Sequence, residues 1–165
     1  MEDKKNWLLE LIPYIVIIVV ILLIKQFVFT TVIVHGASME DTLHDKDIMV
    51  LDKIGVKIRS IKRFDIVVVD TKDSKIIKRV IGLPGETIEY RANRLYINDE
   101  EVEDNHGSKI TTDFGPVTLG SGEYFVLGDN RTNSIDSRSL GKIKKKDIMG
   151  FAKFIIFPFN RFGSK

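Results

Sequence analysis

An unbroken apolar run near the N-terminus limits what this chain can become more than any other feature. The segment WLLELIPYIVIIVVILLI, Trp7 to Ile24, is 18 residues long and carries one charge, Glu10, near its start. At ~1.5 Å of rise per residue such a helix reaches roughly 27 Å, close to the thickness of a hydrocarbon core. The segment is apolar on every side, as a half-buried soluble helix is not. It also exceeds the usual ~7–15 residues of a cleaved leader, and no good A-x-A site follows it. The sequence therefore predicts an uncleaved transmembrane anchor, with Trp7 at one interface and Lys25 and Gln26 at the other. Lys4 and Lys5 precede the span, and after Lys25 no Lys or Arg occurs before Lys46. By the positive-inside rule this places the N-terminus in the cytoplasm. The expected division is a cytoplasmic N-terminus at 1–6, an anchor at 7–26 and an extracytoplasmic domain at 27–165 of a single-pass cell-membrane protein.

From Phe27 onward the texture becomes that of β structure. FVFTTVIV, DIMVLDK, FDIVVVDT, KIIKRVIG, ETIEY, RLYIND, EYFVLG and IMGFAKFIIF are dense in β-branched and aromatic residues. Turn formers separate them, as in LPGE, NDEE, GSGE and GDNR. No stretch after residue 26 keeps a helical period, and there are no internal repeats. The expected fold is one N-terminal transmembrane helix followed by an all-β ectodomain of antiparallel sheets, partly barrel-like or a sandwich. The polar stretch from Asn98 to Thr112 reads as an exposed hairpin or excursion. FVFTTVIV and FAKFIIFPFNRF either rest on the membrane interface or form core strands.

Composition removes several functional classes. The 165 residues include 25 basic and 23 acidic ones, so there is no electrostatic footprint for nucleic acid. The short run Lys142, Lys144, Lys145, Lys146 reads as a solvated turn or strand end. Without cysteine there are no disulfides, thiol nucleophiles or Cys-ligated zinc. His35, His44 and His106 lack metal-ligand spacing, and neither a metal nor another cofactor is expected.

Chemistry has three places to reside. Ser38, in HGASMEDT, is either a nucleophile held near a membrane surface or a polar loop residue. A nucleophilic serine needs a proton acceptor. His35 is a poor one, since three residues away on an extended chain it faces the other side, and His44 and His106 have no flanking signature. Lysine is the better base. In SKIIKRVIG, strand alternation puts Ile76, Lys78 and Val80 on one face, so Lys78 is flanked by β-branched residues. Burial there would lower its pKa and free it to accept a proton, whereas a lysine reaching out to water could not. Finally, GDNRTNSIDSRSLG concentrates hydrogen-bonding and ion-pairing groups after the strand EYFVL, as a shell that orients a site would.

In order and wording these stretches resemble the bacterial type I signal peptidases. The resemblance runs from the N-terminal anchor through SM followed by Thr42, KRVIGLPGE, RLYIND and GEYFVLGDNRTNSIDSR to GFAKFIIFP, roughly residues 7 to 158. It implies a serine–lysine dyad that removes signal peptides from exported preproteins after A-x-A-type sites. Carried over by motif, Ser38 is the nucleophile and Lys78 the general base. Ser134 orients the lysine, Asp136 and Arg138 form a bracing ion pair, and Asp129 and Arg131 are further supports. Ser38 N–H is one oxyanion donor, and Met39 belongs to the substrate-binding surface. The implied partners are signal peptides and the lipid bilayer. Two departures stand out: Asp41 replaces an expected proline, and Gly36 occupies the place where some members have a serine oxyanion donor, leaving backbone to supply it. Asp41 keeps open a second reading, a non-cleaving assembly factor for surface structures such as pili, with pilin precursors as partners.

Overall fold

The computed structural model describes residues 3–108 and 110–164, with the side chains of residues 3–6, Leu8 and Gln26 left aside. Helix α1, Asp3–Phe27, contains the whole apolar segment Trp7–Ile24. Its described apolar side chains, among them Ile12, Ile15, Val16, Leu22 and Ile24, are exposed. Among the described residues no helix is long and apolar enough to cross a membrane, the longest run of described side chains around this segment being Leu9–Lys25.

The rest is mostly β. In chain order come β1 (Phe29–Ile33), β2 (Ile48–Asp52), the short helix α2 (Gly55–Ile58), β3 (Ile66–Asp70), β4 (Lys75–Gly82), β5 (Thr87–Arg91), β6 (Arg94–Ile97) and β7 (Glu100–Val102). Then follow β8 (Phe114–Thr118), β9 (Glu123–Leu127), the one-turn helix α3 (Ser137–Leu140), β10 (Ile143–Lys144), β11 (Ile148–Phe157) and β12 (Gly163–Ser164). All eight expected strands are present. The sequence reading lacks β7, β8, β10, β12 and the two four-residue helices, elements too short to show a period.

Two antiparallel sheets result: an eight-stranded one ordered β1-β2-β11-β3-β4-β9-β10 with β12 on β11, and a four-stranded one ordered β7-β6-β5-β8. The run IVVVD of β3 explains why the larger sheet is covered on both faces. Val67 and Val69 pack into one apolar cluster, and Ile66 and Val68 pack into another. A strand buried on both sides reads as a continuous hydrophobic run. A third cluster joins the sheets, with Ile81, Phe125 and Leu127 of the large sheet against Ile88, Tyr90 and Leu95 of the small one.

The hairpins follow from local backbone chemistry. Asn98 and Asp99 both take positive φ, 51° and 69°, between β6 and β7. This is the two-residue mirror-image turn that matches strand twist, and Asn and Asp tolerate it best. After β7 the chain makes the expected excursion, but its far part is not merely exposed, because Thr111 is buried. The aromatic C-terminal stretch is part core and part surface. Phe151 and Ile155 of β11 are core residues, while Phe154, Phe157, Phe159 and Phe162 are exposed.

Strand β11 passes very close to β2. A Cβ added at Gly150 would stand 2.5 Å from the Asp52 carbonyl oxygen and 2.8 Å from Leu51 Cδ1. The backbone oxygen cannot rotate away, so Gly150→Ala should cost about 1–3 kcal/mol through overpacking. The expected readout is a lower urea midpoint with unchanged slope. An unchanged midpoint would show that the two strands separate without cost.

Candidate active site

Ser38 lies in the turn after β1. The turn is rooted by Met39 and Leu43, 1% and 0% exposed, in the second apolar cluster, and the N–H groups of Thr42 and Leu43 donate to the Met39 carbonyl at 2.9 and 2.8 Å. Its outer side is held by the segment after β9: Asn130 donates its backbone N–H to the Ser38 carbonyl at 3.0 Å and its Nδ2 to the Ala37 carbonyl at 3.1 Å. Ser38 is thus half-buried and fixed at both ends.

Lys78 reaches the same point from β4. It is 3% exposed, and its Nζ lies 2.6 Å from Ser38 Oγ. Ile76 and Val80, expected on its own face, both belong to the first cluster's surroundings. Burial lowers the Lys78 pKa to about 8, against the opposing influence of the Asp136 and Asp129 carboxylates, which favour the ammonium. The sequence left burial or a reach out to water both open for this lysine; here it is buried, with its amine against the serine that the resemblance implied.

Two ion-paired clamps surround this contact. Asp136 receives Arg138 Nε at 2.8 Å, Arg138 Nη2 at 2.7 Å and the Gly128 N–H at 3.0 Å. Burial alone would raise its carboxyl pKa, but hydrogen bonds from Arg138 and Gly128, with the Arg138 charge, hold it below the usual range. On the other side Asp129, fully buried, receives Arg79 Nε at 2.8 Å, Arg79 Nη2 at 2.6 Å and Thr42 Oγ1 at 2.5 Å. This carboxylate therefore ties the residue next to Lys78 to the turn that carries Ser38.

Arg131 works at a greater distance. Its guanidinium binds Asp104, Tyr90 Oη, Thr111 Oγ1 and the His106 carbonyl, and its Nε donates to the Gly128 carbonyl at 3.0 Å. It fastens the excursion after β7 to the strand end that bears Gly128 and Asp129. Burial pushes the Tyr90 hydroxyl up to about 12, so it stays a neutral hydrogen-bonding group. His106, held below its ordinary pKa by burial and the nearby Arg79 charge, stacks on Phe64 and has no contact with Ser38.

Two expectations need correction, those for Gly36 and Ser134. Gly36, expected to help supply an oxyanion donor, already donates its N–H to Asp45 Oδ1 at 2.9 Å. Met39, expected on the substrate-binding surface, is a core side chain that also lines the cleft beside Ser38. Ser134 Oγ is buried without a hydrogen bond of ordinary geometry, so it stands beside Asp136 rather than on Lys78. Sequence reasoning also missed Arg79 and Asp104. An arginine inside the apolar strand KIIKRVIG signals a buried carboxylate partner. Asp104 offers no such signal, since its partner is 27 residues away.

The cleft beside Ser38 is small, about 80 Å³, and lined by Val34, Ile76 and Ile77 among others. Together these features define a class: a β-sheet protein presenting a hydroxyl to a desolvated amine, which is hydrolase chemistry without histidine. Comparison with known proteins agrees. The family described as signal peptidase, peptidase S26, matches residues 5–157. The chain is 42% identical to signal peptidase I of Bacillus licheniformis over 96% of its own length and 93% of that protein's. It is 44% identical to signal peptidase I T of Bacillus subtilis (strain 168), over 96% and 90% of the two chains. A crystal structure of a signal peptidase I from Enterococcus faecalis V583 matches with 36% identity and a TM-score of 0.51, covering 57% of this chain and 97% of that one. The chain belongs to the signal peptidase family, peptidase S26, and is a serine peptidase.

The electrostatics of the pocket can be measured directly. Asp136 opposes the effect of burial on Lys78, so neutralising it in Asp136→Asn should move the Lys78 pKa below about 8. NMR titration of ¹³Cε-labelled lysine reads this. A rise instead would mean that the loosened clamp admits water, and that burial is not what sets the amine.

Proposed function

We propose that this protein is a membrane-anchored endopeptidase that removes signal peptides with a Ser38–Lys78 dyad. The observation that carries the reading is the 2.6 Å approach of a buried Lys78 Nζ to Ser38 Oγ. In the proposed cycle, neutral Lys78 takes the Ser38 proton as Oγ attacks the scissile carbonyl carbon. The tetrahedral oxyanion is held by the Ser38 N–H, for which no acceptor is found among the described residues. Lys78 then returns the proton to the departing amine, leaving an ester on Ser38. A water that gives its proton to the same amine hydrolyses the ester, and the hydroxyl is restored.

Substrate shape follows from the surroundings. Strand β4 pairs with β3 from Lys75 on but with β9 only from Arg79 on, so Lys75–Lys78 offers a free edge beside the cleft. An extended peptide can add to such an edge. The small volume and the Val34, Ile76 and Ile77 walls favour short apolar side chains, as in A-x-A sites. Helix α1, 25 residues or about 37 Å at ~1.5 Å per residue, supports the anchor at 7–26, with 1–6 cytoplasmic and 27–165 outside. Exposed Phe27, Phe29, Phe154 and Phe162 continue its apolar surface onto the β domain. Tethering would keep the site where substrate leaders are also held, raising effective concentration.

The test is cleavage of a panel of preproteins, one pilin precursor included, by the detergent-solubilised protein. Ser38→Ala and Lys78→Ala should each abolish cutting while leaving the unfolding midpoint near wild type or above it. Wild-type kcat/KM should climb with pH through about 8 and level off above, because the neutral amine is the active form. Failure of folded wild type to cut any precursor would favour the assembly-factor reading. A further variant probes the scaffold. A Cβ at Gly128 would stand 2.2 Å from Ser134 Oγ and 2.5 Å from the Ser38 carbonyl oxygen. Gly128→Ala should therefore lower kcat at least about tenfold by displacing the nucleophile's turn, since misplacement near 1 Å costs on the order of 100-fold. Wild-type turnover in that variant would show that the turn can shift harmlessly.

A further inference from the structure

The cleft beside Ser38 has an uneven charge. Among the described residues, every ionisable side chain that lines it is basic: His35, Lys75 and Lys78. The carboxylates nearest the reacting groups, Asp129 and Asp136, are 0% exposed and already paired with Arg79 and Arg138. Glu40 and Asp41 follow the nucleophile closely but do not line the cleft. Two exposed carboxylates stand near the rim without lining the cleft: Asp70, opposite Lys75 in the β3–β4 ladder, and Asp45, which accepts the Gly36 N–H beside His35.

We propose that Lys75, assisted by His35, makes this cleft select acidic over basic side chains at the middle residue of the A-x-A cleavage sequence. The inference rests on the peptidase reading and adds a specificity to it. In an extended peptide, alternate side chains point to opposite sides. When the two small residues enter the cleft, the middle one turns outward to its rim, where shape imposes little. Lys75 and His35 are both exposed at that rim. Lys75 lies three residues along β4 from Lys78, about 10 Å at ~3.3 Å per residue. That is comparable to the ~8–10 Å screening length at physiological salt, and the apolar walls reduce screening further. A carboxylate at the middle position is drawn to the rim and an ammonium is repelled from it.

The experiment uses the full-length protein in detergent and three precursors that differ only in the middle residue: aspartate, alanine or lysine. At low salt, wild type should cut the aspartate precursor with kcat/KM about fivefold above the lysine one, alanine falling between. The ratio should shrink toward one at 1 M salt, where the screening length is ~3 Å. Lys75→Glu should invert the order, and Lys75→Gln should bring the three rates together. A wild-type ratio near one, a preference for lysine, or a ratio unaltered in Lys75→Glu would overturn the proposal. Absence of cutting of all three by folded wild type would instead overturn the peptidase reading, and the specificity with it. Ser38→Ala supplies the blank in each case.

Discussion

An amine inside an apolar sheet is the constraint around which this molecule is arranged. Lys78 loses water on entering β4, and burial brings its pKa to about 8. Below that pH the folded protein must hold an ammonium where hydration is poor, so the lysine opposes folding in full. The opposition fades as pH rises from about 8 toward the ordinary lysine value of 10.5. A core built for stability alone would place a leucine there. The lysine is tolerated because Ser38 Oγ meets it and because Asp136 and Asp129, each held by an arginine, offset part of the desolvation.

Those carboxylates also decide the geometry. Asp129 joins three elements through Arg79 of β4, Thr42 of the Ser38 turn and its own place after β9. Asp136 joins α3 to Gly128 through one carboxylate. Buried ion pairs contribute little net stability compared with apolar packing, yet breaking one partner is costly. Their value here is positional. They fix the turn of Ser38 against the strand of Lys78, two pieces of chain forty residues apart.

Much of this was legible in the sequence because it is written in local periodicity. The eight strands carry dense β-branched and aromatic runs of five residues or more, except RLYI of β6, which its hairpin turn marks. Ile76 and Val80, its neighbours on one strand face, marked Lys78 as a candidate for burial, but the same stretch also allowed its amine to reach water. Ser38, Asp136 and Arg138 were found through motif order. Gly36 was misread because motif order says which residues cluster, but not where each N–H is spent.

By itself the sequence determined an apolar N-terminal helix and an antiparallel β domain, since each follows from side-chain pattern over a few neighbouring residues. Tertiary structure alone decided that Lys78 is buried, that Arg79 closes on Asp129, that Arg131 is held by Asp104, and that Lys75 and His35 share a rim with Ser38 and Lys78. Such pairings join residues tens of positions apart. Their partners are chosen by strand register and by which polar groups remain to be satisfied once the sheets have packed, and no local pattern records that outcome.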